Sequence, residues 1–360
     1  MGDKKINIDF LVKLKERSDQ GVHSASVEDL HLLREYGAKD YDVVLNRRAK
    51  YADIVHACDV HPQFYFKLKK AKLSLALVHF LPSTLQGSIS LPKGIMNLYA
   101  KYVLNFYARA DHLVTVNPQY VQRLVDLGFS SARVHYIPNC ISPALFHPLS
   151  AKERVAARSQ FNIGSEDKVV LSVGQTQPRK GIFDFIELAE DNPDVRFIWA
   201  GDFTFGRITA DYRRVKKAIE NCPPNLRFIG SIARERMNLL YGAADLYIST
   251  SEDELFPMTI LEACSCGLPI AVRYLPLYEP ILGDYVVKCS NVAEYSHLIK
   301  SFFADGSQLP QAGHENSLKL AQMYLPEKVY AQWDQLYRTI LADPLPFRGS
   351  RDPQTRGDKR

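Results

Sequence analysis

The chain has 360 residues, 46% of them hydrophobic and 24% charged, with a formal net charge of +5 at pH 7. That length and apolar content exclude a disordered chain or a minimal disulfide scaffold and favour two domains, each with its own core. No run of ~18 or more uninterrupted apolar residues occurs, so no spanning helix is expected, and Met1 to Lys5 lead into Ile6 without a cleavable signal pattern, which points to the cytosol.

The charge is unevenly distributed. Residues 1–148 carry 19 Lys and Arg against 13 Asp and Glu, whereas residues 149–343 carry 21 against 25. One half is therefore expected to meet an anionic surface, lipid or nucleic acid, and the other is not. Nucleic acid has only this charge in its favour. Six cysteines stand at 58, 140, 222, 264, 266 and 289. Cys264 and Cys266 point to different faces of a helix and no matching His or Cys pair follows, so buried reduced thiols are expected rather than zinc or disulfides.

In chain order, short apolar runs alternate with helical periods. Ile6 to Val12 reads as a strand, Ser24 to Tyr36 as a helix stopped by Gly37, and Val43 to Leu45 and Ile54 to Ala57 as strands. A helix around His61 to Lys70, a strand from Leu75 to His79 and a helix from Ile95 to Ala108 follow. Leu113 to Val116, a helix from Pro118 to Leu127, and Val134 to Ile137 close the first series. Residues 138–150 show neither period and read as a linker. The second series runs through strands Val169 to Val173, Arg196 to Ala200, Leu226 to Ile229, Leu246 to Ser249, Pro269 to Val272 and Val286 to Lys288. Its helices are expected at Ile182 to Glu190, Ala210 to Ile219, Glu235 to Tyr241 and from Met258, then at Ala293 to Phe303, His314 to Met323 and Glu327 to Leu341. This predicts an α/β protein of two doubly wound domains, 1–148 and 151–343, facing a cleft, with the last helix packing back on the first domain. Residues 344–360, rich in Pro, Gly, Arg and Asp, are expected to be disordered.

Ligands of such sheets bind at the carboxyl ends of the strands. There, Thr250 to Pro269 joins a strand through an acidic turn to a helix beginning near Met258. The first amides of a helix have no intrahelical partners and sit at the positive end of its dipole, which suits a phosphate. Glu254 and Glu262 flank that helix start and can accept hydrogen bonds from neutral hydroxyls. Arg179 and Lys180 follow Gly174 at the same edge and suit a diphosphate. Gly201 and Gly230 end neighbouring strands. A nucleotide sugar fits this combination.

Ser-Glu-Asp-Glu-Leu-Phe-Pro-Met-Thr-Ile-Leu-Glu-Ala with Gly-Leu-Pro, preceded by Val-Gly-x5-Lys-Gly, Ala-Gly-Asp and Phe-Ile-Gly, resembles the retaining glycosyltransferases of the GT-B fold that include sucrose and glycogen synthase relatives. The resemblance implies that Glu254 contacts the transferred sugar, Glu262 the nucleotide ribose and Lys180 the diphosphate. It also implies donor contacts at Gly21, Gly174, Arg179, Gly230, Phe256, Met258 and Thr259, and a supporting contact from His79 to the donor sugar. The donor substrate it implies is a UDP-sugar, and no metal or other cofactor is expected if the two cations neutralise the leaving group. Gln175 stands where many members have Arg, and Pro257 stands where a glycine is usual. Asn117 matches a polar family position at a strand end. His56, Asp59 and His61 read as cleft or helix-capping residues rather than metal ligands.

Phe64 to Lys72 and Leu91 to Arg109 interleave aromatics with Lys and Arg and can lie in a membrane interface or form a core helix with a solvated face. The stretch from Val78 to Lys93 and that from Val173 to Gly181 resemble bacterial enzymes that add a second hexose to monoglucosyl-diacylglycerol. That implies a glycolipid acceptor and a peripheral position on the cytoplasmic membrane face. A polysaccharide precursor, a soluble sugar acceptor, or a non-catalytic nucleotide-sugar-binding role remain the alternatives.

Overall fold

The computed structural model describes residues 5–13, 21–47, 52–82, 92–203, 206 and 209–344. Residues 14–20, residues 83–91 of the glycolipid-like stretch and all but the first residue of the tail expected to be disordered lie outside the described residues.

Two parallel six-stranded sheets form the framework. The first holds β1 (Ile6–Leu11), β2 (Tyr41–Leu45), β3 (Ile54–Ala57), β4 (Leu73–Val78), β5 (His112–Thr115) and β6 (Val134–Tyr136), in the order β2-β1-β3-β4-β5-β6. Helices α1 (Gly21–Glu35), α2 (Lys93–Arg109) and α3 (Pro118–Asp126) belong to this half. Strands β3, β4 and β5 are buried along their whole length, as expected for a sheet covered on both faces. That burial is why they read as continuous apolar runs.

The second sheet runs β12-β11-β10-β7-β8-β9. Its strands are β7 (Val169–Val173), β8 (Arg196–Ala200), β9 (Leu226–Phe228), β10 (Leu246–Ser249), β11 (Ile270–Arg273) and β12 (Val287–Cys289). The accompanying helices are α4 (Ala151–Gln160), α5 (Ile182–Asp191), α6 (Tyr212–Glu220), α7 (Arg234–Ala243), α8 (Met258–Ser265), α9 (Val292–Phe302), α10 (Leu309–Ala321) and α11 (Pro326–Ala342). The chain leaves β7 towards β8 and β9 and returns on the other side as β10, so the strand order switches between β7 and β10. A crevice opens at the carboxyl ends of two strands related in this way.

Helix α4 has no counterpart in the apolar pattern. Only Ala157 and Arg158 are buried on it, and it is started by a capping box in which Ser150 and Glu153 each satisfy the other's backbone amide. The helix expected around His61 to Lys70 is a single turn, Pro62–Tyr65, followed by turns, with His61 as its cap. The last helix, α11, leaves the second half and packs on the first sheet. Val329, Trp333, Leu336, Tyr337 and Ile340 join Ile8, Phe10, Ile54 and Leu75 in one core cluster, each apolar side chain contributing roughly 1.5–3 kcal/mol. Polar contacts fix its register: Tyr41 donates to Asp334 at 2.6 Å, and the Tyr337 hydroxyl lies 2.6 Å from His56 Nδ1. All six cysteines are free, and five of them are buried.

Candidate active site

The loops after β7 and β10 meet at the switch point. After Gly174 a short helical turn, Pro178–Lys180, ends at Gly181, whose φ is +73°. A side chain there would run into the Thr250 carbonyl, so glycine is required both for the left-handed backbone and for the close approach. The two loops are then laced together. Glu252 N–H donates to the Arg179 carbonyl at 2.9 Å, and Thr250 Oγ1 donates to the Gly181 carbonyl at 2.8 Å.

This lacing sets Lys180 Nζ against Glu254 Oε1 in an ion pair whose side chains are 17% and 13% exposed. Ser251 also donates to the same carboxylate oxygen, at 2.9 Å. Burial alone would raise the Glu254 pKa. The charges of Lys180 and Arg179 and the two hydrogen bonds outweigh it and hold the carboxyl below its ordinary range. Arg179 Nη1 donates to the Asp253 carbonyl at 2.5 Å, so both cations stand at the acidic turn. Pro257 caps α8, with its carbonyl accepting from Ile260 at 3.1 Å.

Glu262, deeper along α8, is 4% exposed. Its Oε1 accepts from Arg234 Nη1 and its Oε2 from the Tyr241 hydroxyl, each at 2.8 Å. Arg234 also pairs with Glu28 of α1, in the other half, at 2.5 Å. Burial raises the Glu262 pKa, opposed chiefly by Arg234, while the two carboxylates overcome burial and raise that of Arg234.

The structure thus gathers Gly174, Arg179, Lys180 and Glu254 at one edge with the first turn of α8. Thr259 Oγ1 accepts from Tyr247 at 2.9 Å. Phe256 and Met258 have buried side chains, Phe256 against the Tyr324 ring at 5.4 Å. Gly230 follows β9, two strands from β7, and its carbonyl accepts from Gly201 at 2.9 Å. Gly21 begins α1 in the first half.

Across the cleft, His79 follows β4. Its Nε2 is shut off from solvent and has no partner among the described residues, and burial lowers its pKa to about 4. His79 is therefore a neutral ring at pH 7. Asn117 Nδ2 donates across to the Leu255 and Leu277 carbonyls at 2.9 and 3.0 Å. Of the residues weighed as metal ligands, His61 caps a helical turn, Asp59 accepts from Lys13 N at 2.6 Å, and His56 is core. Among the described residues no group of three or more His, Cys, Asp or Glu is placed to hold a metal ion.

The sequence reading passed over Arg234, Glu28 and Tyr241. Nothing in an Ala-Arg-Glu-Arg run marks one arginine as bridging two carboxylates, and Glu28 lies 206 residues away. A cavity of about 460 Å³ opens at the opposite edge of the second sheet. Acids and bases balance there, with Arg196 already paired to Asp167 at 3.0 Å, and it lies away from the cleft.

A helix start, two cations and a carboxylate thus meet at the switch point of a doubly wound sheet. The chain belongs to the GT-B glycosyltransferases: residues 153–319 match the glycosyl transferases group 1 family, and residues 22–145 match glycosyltransferase family 4. It is 38% identical over 340 residues to the alpha-galactosylglucosyldiacylglycerol synthase of Streptococcus pneumoniae, covering 94% of this chain and 90% of that protein. It is 27% identical over 294 residues to the processive diacylglycerol alpha-glucosyltransferase of Acholeplasma laidlawii, covering 80% of this chain and 86% of that one. The fold is shared with HepE of Anabaena, solved with UDP and glucose (TM-score 0.73, 16% identity, 93% of this chain and 100% of that one). It is also shared with sucrose-phosphate synthase of Thermosynechococcus elongatus (TM-score 0.75, 16% identity, 94% and 100%).

Proposed function

We propose that this protein transfers glucose or galactose, with retention, from a UDP-sugar to the sugar hydroxyl of monoglucosyl-diacylglycerol at the cytoplasmic membrane surface. The observation that carries the reading is the Lys180–Glu254 pair beside the first turn of α8. The acceptor class is supported by the name of the pneumococcal relative, which matches nearly the whole chain. Glu254 accepts from the sugar hydroxyls, and Glu262 from the ribose. Lys180 spends one of its three N–H groups on Glu254 and turns the others to the diphosphate with Arg179 and the helix amides. Negative charge developing on the leaving group is thereby stabilised in an enclosed site. His79, neutral, offers a hydrogen bond to the donor sugar. The departing phosphate takes the acceptor proton, so no side-chain base is required. No metal ion is needed, and turnover that persists in EDTA checks this.

For the acceptor side, Ile95, Leu98 and Tyr99 of α2 and the nearby Phe66 are exposed by 54, 70, 37 and 66%. Val103, Phe106 and Tyr107 of the same helix are core, so the aromatic stretch divides into a packed end and an open end. Three of the four lysines in the 64–72 segment make bonds within the half: Lys67 to the Asn46 carbonyl, Lys69 to Asp111, and Lys72 to Asp53. The open end of α2 suits a lipid interface. Sedimentation with anionic vesicles should weaken as salt rises.

The test is product analysis with UDP-glucose or UDP-galactose and monoglucosyl-diacylglycerol. A diglycosyl product that disappears in folded Lys180→Ala and Glu254→Ala is expected. No product from either donor overturns the acceptor, and near-normal turnover by both variants overturns the site.

A further inference from the structure

Arg234 joins three elements that the sequence keeps far apart. It is the first residue of α7, one arm of its guanidinium meets Glu262 on α8, and the other meets Glu28 on α1 of the opposite half. The guanidinium also lies over the Phe146 ring, 5.2 Å from its centroid, which restrains its plane. The side chains of both carboxylates are 6% exposed, that of Arg234 25%.

A carboxylate has about four lone-pair directions. Arg234 and Tyr241 use one on each oxygen of Glu262, leaving a second direction on each for a pair of neighbouring hydroxyls. The trio of two carboxylates and one guanidinium keeps one unit of negative charge in a nearly closed space. A neutral donor of two hydrogen bonds suits that charge, whereas a second anion does not. Without Arg234 the two carboxylates would face a shared pocket unpaired, and one would take up a proton and stop accepting.

We propose that Arg234 is a positioning residue for the vicinal diol of the donor nucleotide's ribose, aiming Glu262 at it, and that Glu28 completes this arrangement only when the two halves are juxtaposed as here. The inference rests on the reading of Glu262 as the ribose contact. It couples recognition of the nucleotide to the placement of the other half, because helix α1 supplies the second anchor. Lysine cannot reproduce it, having no planar fork to span both carboxylates.

The experiment compares binding of UDP and 2′,3′-dideoxy-UDP by calorimetry in the wild type, Arg234→Gln, Glu28→Gln and the double variant, with thermal unfolding of each. The wild type is expected to prefer UDP, and the variants to lose roughly ten- to hundredfold of that preference while binding the dideoxy analogue like the wild type. If Arg234→Gln does not fold, Glu28→Gln, which keeps the Arg234–Glu262 pair, carries the measurement. A preference unchanged or increased in folded variants overturns the inference and leaves the ribose reading standing. A wild type that binds both ligands equally overturns the ribose reading itself, and the inference with it.

Discussion

Asn117 and Leu255 stand 138 residues apart and are joined by a 2.9 Å hydrogen bond from the side-chain amide of the first half to the backbone of the second. Leu255 follows Glu254, so this bond fixes the acidic turn from across the cleft. The Asn117 Oδ1 meanwhile accepts from Gln119 N and caps α3. Asn117→Ala removes a cap and leaves two carbonyls without their donor. A loss of about 1–3 kcal/mol in stability, with a larger fractional fall in kcat/KM, is expected. Urea unfolding and initial rates measure the two. An unchanged rate in the folded variant would sever the link between this bond and the site.

Lys180 and Glu254 give a second test. Lys180→Met alone strands a buried carboxylate and should destabilise by about 3–5 kcal/mol. Lys180→Met with Glu254→Gln removes both charges and should recover much of that loss, though not activity. Equal unfolding midpoints for the single and double variants would show that the pair is not energetically coupled.

Three desolvated histidines set the acid limb of stability. Burial lowers the pKa of His56 to about 3 and those of His79 and His112 to about 4, from 6.5. The unfolded chain therefore binds protons that the folded one refuses. Their contribution is complete above pH 6.5 and is lost as pH falls towards 4, by up to about 1.4 kcal/mol per pH unit for each ring. Denaturant midpoints that stay flat from pH 6.5 to 4.5 would contradict this.

Asp29 has the opposite sign. Burial, aided by the charge of Glu28, raises its pKa from 3.8 to about 8. Its contribution is present below pH 3.8 and declines as pH rises through 8. Asp29→Asn should hold its stability between pH 7 and 9 while the wild type loses some. Parallel curves for the two proteins would rule this out.

Gly181→Ala places a side chain against the Thr250 carbonyl at a left-handed backbone position. Strain of about 1–3 kcal/mol is expected, and because Lys180 precedes it, KM for the donor should rise as well. A variant with wild-type melting and kinetics would show that the two loops can part freely.

Much of the fold was legible because parallel strands buried on both faces read as apolar runs, as in Ile54 to Ala57 and Leu246 to Ser249. Helix α4 was not, because it buries little and is announced only by Ser150 and Glu153. The edge holding Lys180 and Glu254 was legible because glycines and charges cluster where strands end. The Glu28–Arg234–Glu262 trio was not, since local pattern carries no information about which of many surface-like charges will meet across two halves. The packing of the Phe256 ring against Tyr324 was not legible either, since no local pattern pairs residues that far apart.

The path of α11 back onto the first sheet means that the polypeptide passes between the halves twice, once near 138–150 and once near 322–326. These passages touch: Ile141 N–H donates to the Tyr324 carbonyl at 3.2 Å. Two tethers side by side permit rotation about the line through them and resist sliding or twisting in other directions. Opening of the cleft should therefore follow a single arc, and the residues that travel furthest are those at the cleft mouth, opposite that axis.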